Sequence, residues 1–116
     1  GVERTEDFTD GVVVKAPVQG FSSFRALKRA LGPAGEGRQW HHIVEQSKIG
    51  QFGAESIQNV DNVIALPKPV HETISGFYSS KVAGLTGDKT VRQWLEGKPF
   101  QFQYEFGLET IKNFIR

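Results

Sequence analysis

The chain has 116 residues, 38% of them hydrophobic and 23% charged, which suits one domain with its own core and excludes wholesale disorder. It has no cysteine, so disulfides, thiolate zinc sites and cysteine nucleophiles are excluded together. Net charge is only +1, yet residues 11–40 hold five basic residues and one acidic one, directly before a histidine pair, a modest hint of an anionic partner.

Residues 1–10 are polar and acidic and read as a flexible lead-in. The first residue is glycine rather than methionine, which suggests a domain cut from the C-terminal end of something longer. No run of eighteen apolar residues and no signal peptide is present, so no membrane partner is expected. Val12 to Val14, followed by Ala16-Pro17, suit a short extended piece. Ser22 to Leu31 suits a helix, with Ser22 or Ser23 as cap, Phe24, Leu27 and Leu31 on one face, and Gly32-Pro33 as the stop. Arg25 and Arg29 project from the opposite side, open to phosphate contacts or to plain solvation.

Gly32 to Gly37 reads as a flexible connection, and Arg38 to Val44 as a short strand carrying Trp40, His41 and His42. Residues 45–61 suit a loop with at most a turn of helix. Asn62 to Leu66 suits a second strand, and a helix is expected to begin near Pro69, with Val70, Ile74, Phe77 and Tyr78 sharing a face. Thr90 to Leu95 suits a short helix capped by Asp88. Phe100, Phe102, Tyr104 and Phe106 alternate with polar residues, a strand pattern that periodicity alone leaves open, and a helix is expected after Gly107.

All three histidines of the chain fall between positions 41 and 71. His41 and His42 are adjacent on a strand, so their side chains point to opposite faces unless the backbone bends. One can turn toward a metal while the other faces a water molecule, and His71, in the first turn of the helix, can approach the same metal.

Trp40-His41-His42-Ile43-Val44-Glu45-Gln46, then Asn62-Val63-Ile64-Ala65-Leu66, then His71, resembles the HNH, or ββα-metal, nuclease motif. In that family an Asp-His or His-His pair is followed by Asn and, nine residues later, by a helical His, which is the interval from Asn62 to His71. The look-alikes are cysteine-free HNH toxin domains at the C-termini of large bacterial Rhs and contact-dependent-inhibition proteins. Lys89 to Trp94 and Tyr104 to Leu108 also look like the end of such domains. The chain departs from many HNH proteins at Pro67 and Val70, where zinc-binding cysteines are expected, so no zinc knuckle can form.

The resemblance implies His41 and His71 as metal ligands, His42 as the general base, and Asn62 as either a ligand or the pin of the loop that orients His42. It implies one divalent ion, Zn, Mn, Ni, Co or Mg, and a histidine pKa suits the base. Asn59 competes with Asn62, and the nine-residue interval favours Asn62. Glu45 is open to a bond with His42, a bond to backbone, or a surface role. Arg38 and Lys68 flank the motif and are candidates for phosphate contact. Trp40 is expected in the core, with base stacking as the minority alternative.

Residues 1–116 are therefore expected to form a single small α+β domain. It would have a ββα-metal core of two short antiparallel strands and a helix, flanked by N- and C-terminal helices. The implied function is non-specific endonuclease activity, on DNA ahead of RNA, as the secreted effector end of an antibacterial toxin acting in the target-cell cytoplasm and blocked by an immunity protein. The rivals are a metal-independent RNase toxin and a non-catalytic nucleic-acid-binding module stabilised by zinc.

Overall fold

In the computed structural model, residues 6–9, 12–15 and 19–115 are described. The fold is a small α+β domain whose strands come in two antiparallel pairs. β1 (Glu6–Thr9) pairs with β2 (Val12–Lys15), so part of the expected lead-in is strand; residues 1–5, 10, 11 and 16–18 lie outside the described residues. The apolar Val12-Val13-Val14 run supplies the extended preference at β2.

Helix α1 (Phe24–Leu31) begins at Ser23, whose hydroxyl accepts the Ala26 N–H at 3.1 Å, and ends at Gly32, where φ is 81°. Leu27 is fully buried on its inner face while Arg25, Lys28 and Arg29 are exposed. β3 (Arg38–His42) then pairs with β4 (Val63–Pro67), placing Trp40 opposite Ala65, His41 opposite Ile64 and His42 opposite Val63. The ladder continues one bond further, from Ile43 N–H to the Asn62 carbonyl at 2.8 Å.

The connection between β3 and β4 is more helical than its mixed composition suggests. A 3-10 turn at Gln46–Lys48 is followed by α2 (Ile49–Phe52), α3 (Ala54–Ile57) and a second 3-10 turn at Val60–Asn62. Asn62 therefore closes that turn, one residue before β4. Helix α4 (Lys68–Tyr78) follows directly, with Pro69 in its first turn, and completes the ββα unit. Its face Val70, Ile74, Phe77 and Tyr78 packs on the core as the spacing predicts.

Helix α5 (Val91–Leu95) is capped by Thr90, not by Asp88. The Thr90 hydroxyl accepts the Gln93 N–H while the Gln93 side chain accepts the Thr90 N–H, so a capping box forms two residues after Asp88, directly before the helix. The segment 99–106, whose alternating rings left strand and helix open, enters α6, a continuous helix from Phe100 to Ile115. The rings alternate, yet the inward positions, Gln103, Gly107, Thr110 and Ile111, are spaced by three and four. The rings fall on the flanks of the helix: Phe100 stacks on Tyr104, and Phe106 stacks on Phe77.

The core gathers Ile43 from the end of β3, Leu66 from β4, Ile74 and Tyr78 from α4, Val91 and Leu95 from α5, and Ile111 from α6. Full burial of each apolar side chain contributes about 1.5–3 kcal/mol. A Cβ at Gly107 would lie 2.5 Å from the Ile43 carbonyl oxygen, so only glycine lets α6 close on the end of β3. Among the described residues no helix is long and apolar enough to cross a membrane.

Candidate functional site

Strand alternation divides the side chains of β3 between two neighbours. Arg38, Trp40 and His42 share the face toward α1, while His41 faces the other way and meets α4. His41 Nδ1 and His71 Nδ1 lie 3.0 Å apart, with the rings edge to face at 76°. Burial first, then His71 and then His42, push the His41 pKa down from 6.5 to about 4, so this ring is neutral at pH 7.

His42 packs edge-on against Phe24 of α1, with ring centres 4.7 Å apart. Its Nε2 lies 2.9 Å from Gln58 Oε1, and the Gln58 amide nitrogen donates in turn to Gln46 Oε1 at 2.7 Å. An amide oxygen only accepts, so this chain puts the His42 proton on Nε2 and leaves the lone pair on Nδ1. Burial lowers the His42 pKa; the Gln58 bond opposes that shift and His71 adds to it.

Asn62, expected among the catalytic residues, is a positioning residue. It is buried, its Oδ1 accepts the Val44 N–H at 2.9 Å, and its Nδ2 donates to the Val44 and Ile57 carbonyls at 3.0 Å each. With its oxygen accepting and its amide nitrogen donating twice, it pins the chain just after His42 to the end of α3. Asn59 is more exposed and only local, capping the second 3-10 turn through the Asp61 N–H.

Glu45 takes none of its expected partners. Both its oxygens accept from the Arg92 guanidinium, at 2.7 and 2.8 Å. Arg92 also donates to Ser79 Oγ, and its carbonyl accepts the buried Lys48 ammonium at 3.0 Å. The bond to Glu45 raises the Arg92 pKa further, while burial and then Glu45 push the Tyr78 hydroxyl up to about 12. This cluster locks the loop after His42 onto α5.

A cleft of about 870 Å³ opens between α1 and β3. Arg25, Arg29 and Arg38 line it together with His42 and His71, and among the described residues no carboxylate does. Lys28, absent from the expectations, lies beside Arg25 and Arg29 and sits 4.5 Å over the Phe24 ring; its helical spacing from Arg25 was the signal that could have found it. Lys68 is exposed at the start of α4 and does not line the cleft. Trp40 is half-buried on the cleft wall rather than in the core, with its indole N–H donating to the Gly32 carbonyl at 3.0 Å.

The facing nitrogens of His41 and His71 suit a shared cation. A tetrahedral ion about 2.0–2.1 Å from each nitrogen holds two such atoms roughly 3.3 Å apart, close to the separation here. A neutral His41 keeps its lone pair available for such an ion. Among the described residues no group of three or more His, Asp or Glu gathers around one point, so an ion held by this pair would keep open positions. Comparison with protein-family models, with curated proteins and with solved structures finds no match for this chain.

Proposed function

We propose that this domain is a metal-assisted nuclease of the HNH type that its motif resembles, cleaving phosphodiester bonds in the cleft between α1 and β3. One observation carries the reading: His41 and His71, thirty residues apart in sequence, meet at 3.0 Å beside a cleft that His42 and His71 line with four cations. His41 and His71 would hold a divalent ion. Such an ion supplies Lewis-acid neutralisation of the scissile phosphate and of the departing oxygen. His42, with its free lone pair at Nδ1, accepts the proton of the attacking water. Gln58 holds that tautomer, Asn62 fixes the backbone behind it, and Arg25, Arg29 and Arg38 bind the flanking phosphates.

The toxin role follows from the motif resemblance, with DNA ahead of RNA as substrate. A cationic cleft of this kind is one that an acidic immunity protein would cover. In the metal-independent RNase alternative His42 and His71, which both line the cleft, would serve as acid and base, and cleavage of RNA that persists in EDTA would favour it. The test incubates the purified domain with plasmid, heat-denatured DNA and structured RNA, in EDTA and then with Mg, Mn, Ni or Zn restored. Metal-restored cleavage should fall roughly 10²–10⁴-fold in His42→Ala. Intact nucleic acid in every lane would refute the reading.

A further inference from the structure

The cleft has two kinds of wall. Along α1, Arg25, Lys28 and Arg29 form a row of cations, with Arg25 and Arg29 about 6 Å apart along the helix axis, on the order of one nucleotide step. Across from them on β3, Arg38 donates to the Ala65 carbonyl at 3.1 Å, which anchors its guanidinium at the cleft edge. Two residues from Arg38 on the same face of β3 stands Trp40. It belongs to no part of the core cluster, and its one polar atom is tied to Gly32, so the indole is a fixed aromatic surface at the cleft wall.

Phosphate contacts alone would serve single and double strands alike, because both present the same backbone. An aromatic ring in the groove does not. A duplex keeps its bases stacked inside, whereas an unpaired strand offers base faces to any ring within reach. A positively charged groove with a stacking side chain is the combination that binds single strands without reading sequence. Phe24, the other phenyl or indole ring at the cleft, has the Lys28 ammonium over one face at 4.5 Å and His42 packed against it at 4.7 Å, which leaves Trp40 as the stacking surface.

We infer that the cleft is a binding site for single-stranded nucleic acid, in which α1 tracks the phosphates and Trp40 stacks a base. The inference rests on the nuclease reading for its purpose but not for its test, since binding is measured in EDTA without cleavage.

The experiment titrates the full chain against a fluorescein-labelled oligodeoxynucleotide, the matching oligoribonucleotide and the duplex of the same sequence, across a series of salt concentrations. One or both single strands should bind more tightly than the duplex. Arg25→Gln/Lys28→Gln/Arg29→Gln, changed only at exposed helix positions, should flatten the single-strand salt slope by about 2, at about 0.7 per contact. Trp40→Ala should weaken single-strand binding roughly 5- to 150-fold. Because Trp40→Ala removes a half-buried ring, Trp94→Phe provides a second reading: Trp40, then the sole tryptophan, should be quenched by the single strand. Duplex binding that equals or exceeds single-strand binding, an unchanged salt slope, or an unquenched Trp40 would each overturn the inference. Single-strand binding without cleavage under any metal would remove the nuclease and leave this site standing; cleavage with duplex preference would do the reverse.

Discussion

Replacing Asn62 with alanine takes three hydrogen bonds from a side chain that is 1% exposed. The groups left behind, Val44 N–H and the Val44 and Ile57 carbonyls, sit where the buried end of β3 meets α3, and leaving a buried polar group unsatisfied costs about 1–3 kcal/mol. Relaxation and water entry soften the sum, so the expected loss is about 3–6 kcal/mol. That is a large part of the roughly 5–15 kcal/mol that holds a domain folded. At about 4 °C per kcal/mol for a chain of this size, the melting temperature should fall by about 12–24 °C. Asn59→Ala removes a more exposed cap and should cost about 1 kcal/mol. Thermal and urea unfolding followed by circular dichroism would measure both. A loss below about 1 kcal/mol at Asn62, or equal losses at the two positions, would refute the pinning role.

Metal-free stability should fall with acid. His41 has its folded pKa lowered to about 4, and His42 is shifted in the same direction, so the unfolded chain binds more protons below pH 6.5. The stabilisation is whole above pH 6.5 and declines as pH falls toward 4, with His41 alone accounting for about 3 kcal/mol; a His41→Gln titration of equal steepness would refute this. Gly107→Ala, whose Cβ would meet the Ile43 backbone oxygen at 2.5 Å, should destabilise by about 1–3 kcal/mol. Gly76→Ala, in the open on α4, should stabilise by up to about 1 kcal/mol, and chemical denaturation would separate the two. His71→Ala should weaken Zn or Ni binding at least tenfold by calorimetry, at the 10–100-fold scale reported for groups that only support a ligand; unchanged affinity would remove His71 from the ligand pair.

The ββα unit was legible because its signals are local. The run from Trp40 to Val44 marks the end of β3, the apolar run Val63 to Leu66 marks β4, and proline marks the start of α4, which follows β4 without a gap. The partners of the site residues were not legible, because they come from afar. Gln58 lies sixteen residues from His42 and Arg92 forty-seven from Glu45, and both are selected by packing rather than by spacing. Trp40 looked like core by residue type alone. The segment 100–106 stayed open because alternating rings satisfy a strand, while a glycine at 107, with its zero-clearance contact on Ile43, has no distinct signature in one sequence.

The core takes Ile43, Leu66, Ile74 and Tyr78 from before the exposed Gly87-Asp88 turn and Val91, Leu95 and Ile111 from after it, and the Glu45–Arg92 pair crosses the same divide. A chain interrupted at that turn yields two pieces, neither of which can close a core alone. The front piece carries every histidine, yet it would stay inert until the back piece docks. Neither piece should hold a metal by itself, and co-expression that restores metal binding only when both are present would show it.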